Sequence, residues 1–367
     1  MKRDLAGPIR AFVDDDIPQV AGLYMRVFRK SDQPASPAMQ ALFHKIFFNN
    51  PWHDETMPSL VYQTPDGKIA GFLGVMPRMM LRHGRPVRVA VSNSFMVAPD
   101  SRQSFAAMQL LKSFFAGPQD LSLAEGGEAS RRIWEALGGA KSYLYSMQWT
   151  RHLRPSQYVT ALLLKDKLPA ALALASRPIC YAVDAMAARI PPNQFQQSSA
   201  ALATEDLEAE TLLTCISAFT RQHALRPLYD QRSLSWLLEI FAEQKSYGAL
   251  QKLVVRRASR EIAGWCLYYL KPGGLGEVLQ IGGHPQSMPQ VLAELFRHAW
   301  RNGVVALSGQ LEPKFMQEFS EQYCIFRHSN AWMLIHSRHP ELLEVIHRGE
   351  AFFSRLEGEW MFYKLFD

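Results

Sequence analysis

Chemistry-bearing residues are densest between Val87 and Phe115. Val87, Val89, Val91, Phe95 and Val97 alternate as a strand with only Asn93 polar on that face. Pro99-Asp100 stops the strand. The run Ser101-Arg102-Gln103-Ser104-Phe105-Ala106-Ala107 then opens a helix whose apolar face is Ala107, Leu110, Leu111, Phe114 and Phe115. The first turn of a helix carries unpaired backbone N–H groups and partial positive charge, so a strand, loop and helix in this order suit a pyrophosphate. Ser104, Ala106 and Ala107 are small enough to let a ligand approach the backbone, and Arg102 adds a fixed charge. The bland alternative is an ordinary turn with a solvated arginine. Within the strand, the polar triplet Ser92-Asn93-Ser94 marks either a bulge that opens the sheet or a strand end that becomes solvated.

Other charged residues have weaker claims. Glu125 and Glu128 follow the next strand and read either as general bases or as helix caps. Arg78, Arg82, His83, Arg85 and Arg88 cluster on one hairpin, where they meet phosphates, an acidic acceptor or an anionic polymer, or form a solvated face. Cys180, Cys215, Cys266 and Cys324 lie far apart with no C-x-x-C spacing, so neither a disulfide framework nor a metal site is expected. Metals, flavin and nicotinamide have no supporting motif.

These residues are positioned by a regular order of elements. A short strand at 9–13 precedes Asp14-Asp15-Asp16 and a helix with Ile17, Val20, Leu23, Tyr24 and Val27 on one face. A second helix is predicted over Pro37 to Phe48. Strands follow at Ser59–Gln63 and Lys68–Val75, joined at Pro65-Asp66-Gly67, and then comes the segment described above. A strand over Asp120–Ala124, a helix over Ser130–Leu137 and a last strand over Lys141–Trp149 complete the first half. Residues 151–205 read as a connector with short helices near Leu168–Ala175 and Tyr181–Ala188. A similar order then returns: helices at 206–222 and 233–242, a hairpin at 252–270, a strand at 277–282, a helix at 289–301, and further elements at 304–308, 313–321 and 331–336.

The halves superpose at an offset of 193 residues. Ile69-Ala70-Gly71-Phe72 lies over Ile262-Ala263-Gly264-Trp265, Leu60-Val61 over Leu253-Val254, Phe43 over Trp236 and Phe48 over Phe241. A shared offset with a shared element order points to internal duplication. Length agrees, since 367 residues suit two domains. Charge divides the halves: residues 1–199 hold 23 Lys and Arg against 15 Asp and Glu, whereas residues 200–367 hold 17 against 19. With 48% hydrophobic and 20% charged residues, disordered and low-complexity classes are excluded. The start shows no apolar run behind its charges and no stretch reaches 18 apolar residues, so a cytoplasmic protein without a signal peptide or membrane span is expected.

The first half resembles the GNAT superfamily of acyl-CoA-dependent N-acyltransferases. Ile9-Arg10 with Asp14-Asp15-Asp16-Ile17-Pro18 resembles its first strand and helix. Val97-x-Pro99-x-x-Arg102-x-x-x-x-Ala107-x-x-Leu110-Leu111 is similar to its pyrophosphate motif, Q/R-x-x-G-x-G/A, with Phe105 at the first glycine. Ala129-x-Arg131-Arg132-Ile133-Trp134-Glu135-x-Leu137-Gly138 is similar to its later helix. The second half resembles the same fold in order only; its matching place, Gly283-His284-Pro285-Gln286-Ser287-Met288-Pro289, lacks the arginine and has a proline where a donor is needed.

The resemblance implies an α/β (α+β) chain of two tandem GNAT-like domains of bacterial type, each a mixed, mostly antiparallel sheet flanked by helices. The expected divisions are 1–152, a connector at 153–204, and a degenerate copy at 205–367 that shapes the acceptor site or a homodimer. The implied co-substrate is acetyl-CoA or another acyl-CoA, and the partner is a small-molecule amine. The implied cofactor contacts are Phe95, Met96, Val97, Arg102, Gln103, Ser104, Phe105, Ala106, Ala107, Arg131, Arg132 and Trp134. The implied catalytic candidates are Tyr145 and Tyr143 as acids for the thiolate, Glu125 as base, and Ser94 on the fourth strand. The chain's terminal carboxylate, at Asp367, is a further candidate base. A non-catalytic binding or scaffold protein of the same fold is the alternative, and nucleic-acid binding through the basic half has no supporting motif.

Overall fold

The computed structural model describes residues 8–99, 105–166, 170–190, 195 and 202–359. Arg102, Gln103, Ser104 and Asp367 therefore lie outside the described residues. The first sheet is built from β1 (Ile9–Ala11), β2 (Leu60–Gln63), β3 (Ile69–Arg82), β4 (Arg85–Val97), β5 (Leu121–Gly126) and β6 (Ala140–Ser142). The helices among these strands are α1 (Ile17–Phe28), α2 (Pro37–Phe47), α3 (Ala106–Phe115) and α4 (Glu128–Ala136). After β7 (Met147–His152), helices α5 (Pro155–Asp166) and α6 (Ala170–Ala187) form the connector, longer than the short helices expected there and with Pro178 inside α6. Then follow β8 (Ala203–Asp206), α7 (Ala209–Phe219), β9 (Leu225–Pro227), α8 (Gln231–Ala242), β10 (Ala249–Arg256), β11 (Ile262–Leu270), β12 (Leu275–Gly283), α9 (Met288–Arg301) and β13 (Ala306–Gln310). The chain continues through α10 (Met316–Glu321), β14 (Ile325–His328), β15 (Trp332–Ser337) and α11 (Pro340–His347).

The two sheets repeat one plan. The first runs β1-β2-β3-β4-β5-β15-β6, with β9 added on β3, and the second runs β14-β7-β13-β12-β11-β10-β8. In each, antiparallel strands lead to one parallel pair, β4 with β5 and β12 with β13. The residues matched at offset 193 fall on equivalent elements, β2 with β10 and β3 with β11, while Phe43 on α2 matches Trp236 on α8. Two mixed sheets flanked by helices fit two tandem domains.

The halves exchange strands. β7, from the first half, lies between β14 and β13 of the second sheet, and β15, from the second half, lies between β5 and β6 of the first. The expected single strand at Lys141–Trp149 is thus two strands in different sheets, broken by a 3-10 turn at Leu144–Ser146. The turn is held because Ser146 Oγ donates to Ser142 O and Tyr145 OH donates to Ala351 O, each at 2.5 Å. The expected division at 152 falls after β7, a strand of the second sheet.

Helix packing divides the first sheet's apolar side chains between its two faces. One face buries Val20, Leu23 and Tyr24 of α1 and Phe43 and Phe47 of α2 in a core that continues into the second half. The other buries Leu110, Leu111 and Phe114 of α3 and Trp134 of α4 against Leu73, Val75 and Leu334. α1 starts where Asp16 accepts from Val13 N and pairs with Arg10 at 2.6 Å. The basic hairpin disperses. Arg78 is buried with its guanidinium 3.6 Å from the Trp52 ring, and Arg88 pairs with Asp54 at 2.9 Å. No helix among the described residues is long and apolar enough to cross a membrane.

Candidate functional site

The first sheet opens between β4 and β5. The two strands are paired only where Val89, Ala90 and Val91 face Leu121, Ser122 and Leu123; beyond that they diverge. On the other edge of β4, Phe72 pairs with Met96 and Gly74 with Asn93, so Ser94 and Phe95 together oppose Leu73. This is the bulge that the polar triplet allowed, and Ser94 adopts a left-handed φ of 53° within it. Gly74 makes room for the bulge, because a Cβ there would stand 2.6 Å from Asn93 O.

Behind the divergence lies a cleft of about 650 Å3. Its lining draws on both packed faces of the sheet: Phe28 from the α1 side, and Ala124, Trp134 and Leu334 from the α3–α4 side. Ser92 and Phe95 come from β4, Glu125 and Gly126 from β5, and Gly127 and Ser130 from the start of α4. Gln148, Ser329, Asn330 and Ala331 are supplied by β7 and the β14–β15 loop, so strand exchange builds one end of the cleft.

A carboxylate spans the opening. Glu359 Oε1 accepts from Ser94 N and Glu359 Oε2 accepts from Glu125 N, both at 3.0 Å. It reaches this place on a C-terminal segment in which Phe352, Phe353 and Leu356 are buried. Burial, against the pull of its two N–H donors, pushes the Glu359 carboxyl up to about 8. Beside it, Arg355 lies 3.7 Å from Glu125 and 3.0 Å from Glu277, tying the first sheet to the second.

The second sheet has the same opening, filled by the chain itself. β12 and β13 pair from Leu275 to Val278 and then part, with a bulge at Leu279. Phe352, Phe353 and Ser354 occupy the gap, Arg355 N donates to Leu279 O at 3.0 Å, and Gln280 Nε2 donates to Ser354 Oγ at 3.1 Å. About 20 Å3 of space remains. The degenerate segment of that half forms a 3-10 turn at Pro285–Ser287 and carries its proline in the first turn of α9.

The residues singled out in the sequence are distributed unevenly. Phe95, Trp134 and Glu125 line the cleft, and Ser94 offers its backbone N–H at the opening. Met96 is buried and Val97 half-buried on β4. Trp134 is fixed by an Nε1–H bond to Ile335 O at 2.9 Å. Phe105 takes a left-handed φ of 56° before α3 and is 69% exposed, so its ring points out of the core; Ala106 is buried and Ala107 half-buried. Arg131, half-buried near the Trp332 ring, is engaged with Glu128 and Glu135, and exposed Arg132 with Glu128. Tyr143 is exposed and packs edge-on to Trp332. Tyr145 is buried, its hydroxyl bonded to both Ala351 O and Ala351 N, and it is not among the cleft residues. Its pKa is driven well above the ordinary phenol value by burial.

Sequence reading did not find Glu359, Phe28, Gln148 or the 329–331 loop. The available signal for Glu359 was a carboxylate within Ala351-Phe352-Phe353-Ser354-Arg355-Leu356-Glu357-Gly358-Glu359, where the apolar residues mark a buried segment.

No protein-family model and no curated protein matches the sequence. Solved structures do match in fold. A conserved protein from Enterococcus faecalis V583, described as a probable N-acyltransferase, aligns over 90% of this chain and 72% of its own at a TM-score of 0.60 and 11% identity. A GCN5-related N-acetyltransferase from Anabaena variabilis aligns over 89% of this chain and 71% of its own at 0.57 and 13%. Saccharomyces cerevisiae N-myristoyltransferase with bound myristoyl-CoA aligns over 92% of this chain and 80% of its own at 0.51 and 11%. The chain has the GNAT fold.

Proposed function

We propose that this protein is an acyl-CoA N-acyltransferase whose working site is the β4–β5 opening of the first sheet. The observation that carries the reading is a pair of inward N–H groups, on Ser94 and Glu125, set across diverging strands at the mouth of a large cleft. Acyl transfer to an amine needs fixed donors where negative charge develops on the carbonyl oxygen, and strand N–H groups supply them without reorganisation. The bulge at Ser94 keeps β4 from closing on β5, and the solved structures that share the fold include a probable N-acyltransferase, a GCN5-related N-acetyltransferase and an N-myristoyltransferase. The reading places the pyrophosphate at the loop before α3, with Arg102, Gln103, Ser104 and Phe105 leading into Ala106 and Ala107. Arg131 and Arg132, on the next helix, are the further charges that this reading assigns to the cofactor.

The second half serves as architecture in this reading. Its own opening is filled, and it contributes Gln148's sheet, the 329–331 loop and the C-terminal segment to the first site. Four unpaired thiols agree with a reducing compartment such as the cytoplasm. A small amine is the acceptor, and a homodimer is the assembly to test by light scattering.

The competing reading, a non-catalytic binding protein of the same fold, is favoured by two observations: Glu359 already takes both N–H groups, and the Phe105 ring points outward at the loop assigned to the pyrophosphate. Thermal shift with acetyl-CoA, followed by thiol release on adding a panel of primary amines, tests the two. Stabilisation with amine-dependent thiol release is the expected result, and Arg102→Glu is expected to abolish the shift. Stabilisation without release under any amine supports the binding protein, and no shift at millimolar acetyl-CoA overturns the acyl-CoA reading.

A further inference from the structure

Glu359 holds a position that a substrate needs. Its two oxygens accept the N–H groups of Ser94 and Glu125, each at 3.0 Å, and it also lines the cleft. It forms no ion pair among the described residues. The charged groups near it are Glu125 on β5, whose negative charge opposes its own, and Arg355 on the same segment, which is already placed between Glu125 and Glu277. The segment that carries it is anchored upstream, where Phe352 N donates to Leu225 O at 2.8 Å and Arg355 N to Leu279 O at 3.0 Å. The last anchor before it is Glu357, whose carboxyl accepts from Tyr229 OH at 2.5 Å and from Ser354 N at 2.7 Å, so the exchange needs only the Glu359 side chain to turn about its own bonds while the backbone stays in place.

Resting on the acyltransferase reading, we infer that the acyl carbonyl of a bound thioester replaces Glu359 on the Ser94 and Glu125 N–H groups, and that the carboxylate so released accepts the proton of the acceptor amine. The two halves of the inference are linked by chemistry. A carboxyl that turns from its buried place into the open cleft is relieved of the burial that holds its proton, so the proton acceptor is ionised only when the thioester is in place. An amine arriving first meets a buried carboxyl that still holds its proton. The step balances as follows. The ammonium loses one proton to Glu359, and the nitrogen lone pair forms the C–N bond at the thioester carbon. The C–S bond breaks with its electron pair on sulfur, the second nitrogen proton ends on sulfur as the thiol, and the proton on Glu359 returns to solvent.

The exchange makes acyl-CoA binding proton-linked, which no purely structural role of Glu359 would do. Relief from burial lowers the affinity of Glu359 for a proton by more than the loss of two donors raises it, so near pH 7 the wild-type protein releases a fraction of a proton when it binds acetyl-CoA. Isothermal titration of the full chain in two buffers of different ionisation heat reads that number directly. The expected result is proton release with acetyl-CoA, less with CoA, which has no acyl carbonyl, and no acetyl-CoA-specific release in Glu359→Gln. Glu359→Ala, which leaves both N–H groups open, is expected to bind acetyl-CoA about fivefold more tightly than wild type, with little change for CoA. Equal affinities and equal proton counts in wild type and both variants overturn the exchange while leaving the acyltransferase reading intact. Failure of all three proteins to bind acetyl-CoA at millimolar concentration overturns both. Circular dichroism melts establish that each variant is folded, and Glu359→Gln preserves shape where Glu359→Ala does not.

Discussion

Phe105 offers a test of the phosphate loop that does not depend on activity. The residue has a φ of 56° and 69% of its surface is exposed. A side chain in the left-handed region costs about 1–2 kcal/mol relative to glycine, whereas glycine loses about 0.5–1 kcal/mol more chain entropy on folding. Phe105→Gly should therefore be more stable than Phe105→Ala by about 0.5–1 kcal/mol, reversing the order found in helix interiors. Against wild type, the glycine variant forgoes the partial burial of one phenyl ring, worth about 0.5–1 kcal/mol at this exposure. The two effects nearly cancel, so Phe105→Gly stays within about 1 kcal/mol of wild type while Phe105→Ala falls below both. Urea unfolding with an unchanged slope reads these differences as midpoint shifts. An alanine variant as stable as the glycine variant would refute the left-handed assignment. With it would go the argument that position 105 keeps the backbone shape of the motif's glycine while presenting an outward ring.

Two further outcomes follow from the site. The Glu359 carboxyl is raised on folding to about 8, so the folded protein holds that proton where the unfolded chain has released it. Its contribution to stability is complete below the ordinary carboxyl range and is lost as pH rises through about 8; Glu359→Gln should flatten the fall in stability between pH 5 and pH 9, measured by urea titration at each pH. Gly74→Ala would set a Cβ 2.5 Å from Phe47 Cε1 and 2.6 Å from Asn93 O, and overpacking against backbone costs about 1–3 kcal/mol; the same variant should weaken acetyl-CoA binding, and wild-type stability would show that the bulge yields.

Much of the plan was legible because it is local. The alternation through Val87–Val91, the interruption at Ser92-Asn93-Ser94 and the turn at Pro65-Asp66-Gly67 are read from neighbours in sequence, and the offset of 193 rests on element order. Strand exchange is not local. Trp332, Met333, Leu334 and Ile335 are apolar on both faces of a strand, which says that β15 is central but not which sheet it enters. The same holds for β7, whose register with Ala306–Gln310 across more than 150 residues is decided by what each sheet lacks. Lys141–Trp149 read as one strand; the break at Leu144–Ser146 depends on Ala351, far along the chain. Glu359 was illegible for a similar reason. A carboxylate in an apolar segment signals an unusual burial, but its partners are two backbone N–H groups, and backbone groups leave no mark in the sequence.

The filled opening of the second sheet and the open one of the first belong to one arrangement. Phe352 and Phe353 are each almost wholly buried, and removing either side chain would cost about 3–5 kcal/mol. That anchoring, with the Arg355 N–H bond to Leu279 O, fixes the segment four residues ahead of Glu359. A side chain at the end of a loose tail would spread over many positions and hold two N–H groups at 3.0 Å only with a large loss of entropy. Bound into the second opening, the segment has already lost that freedom on folding. The second half thus gives over its own cleft to place a carboxylate in the first, and the β15 and β7 exchanges keep the two sheets from shifting against each other. Residues 1–152 alone would lack β15 between β5 and β6, the 329–331 lining and Glu359. A site divided in this way works only in the whole chain, so separate expression of the first half should yield neither a stable sheet nor an acetyl-CoA-dependent thermal shift.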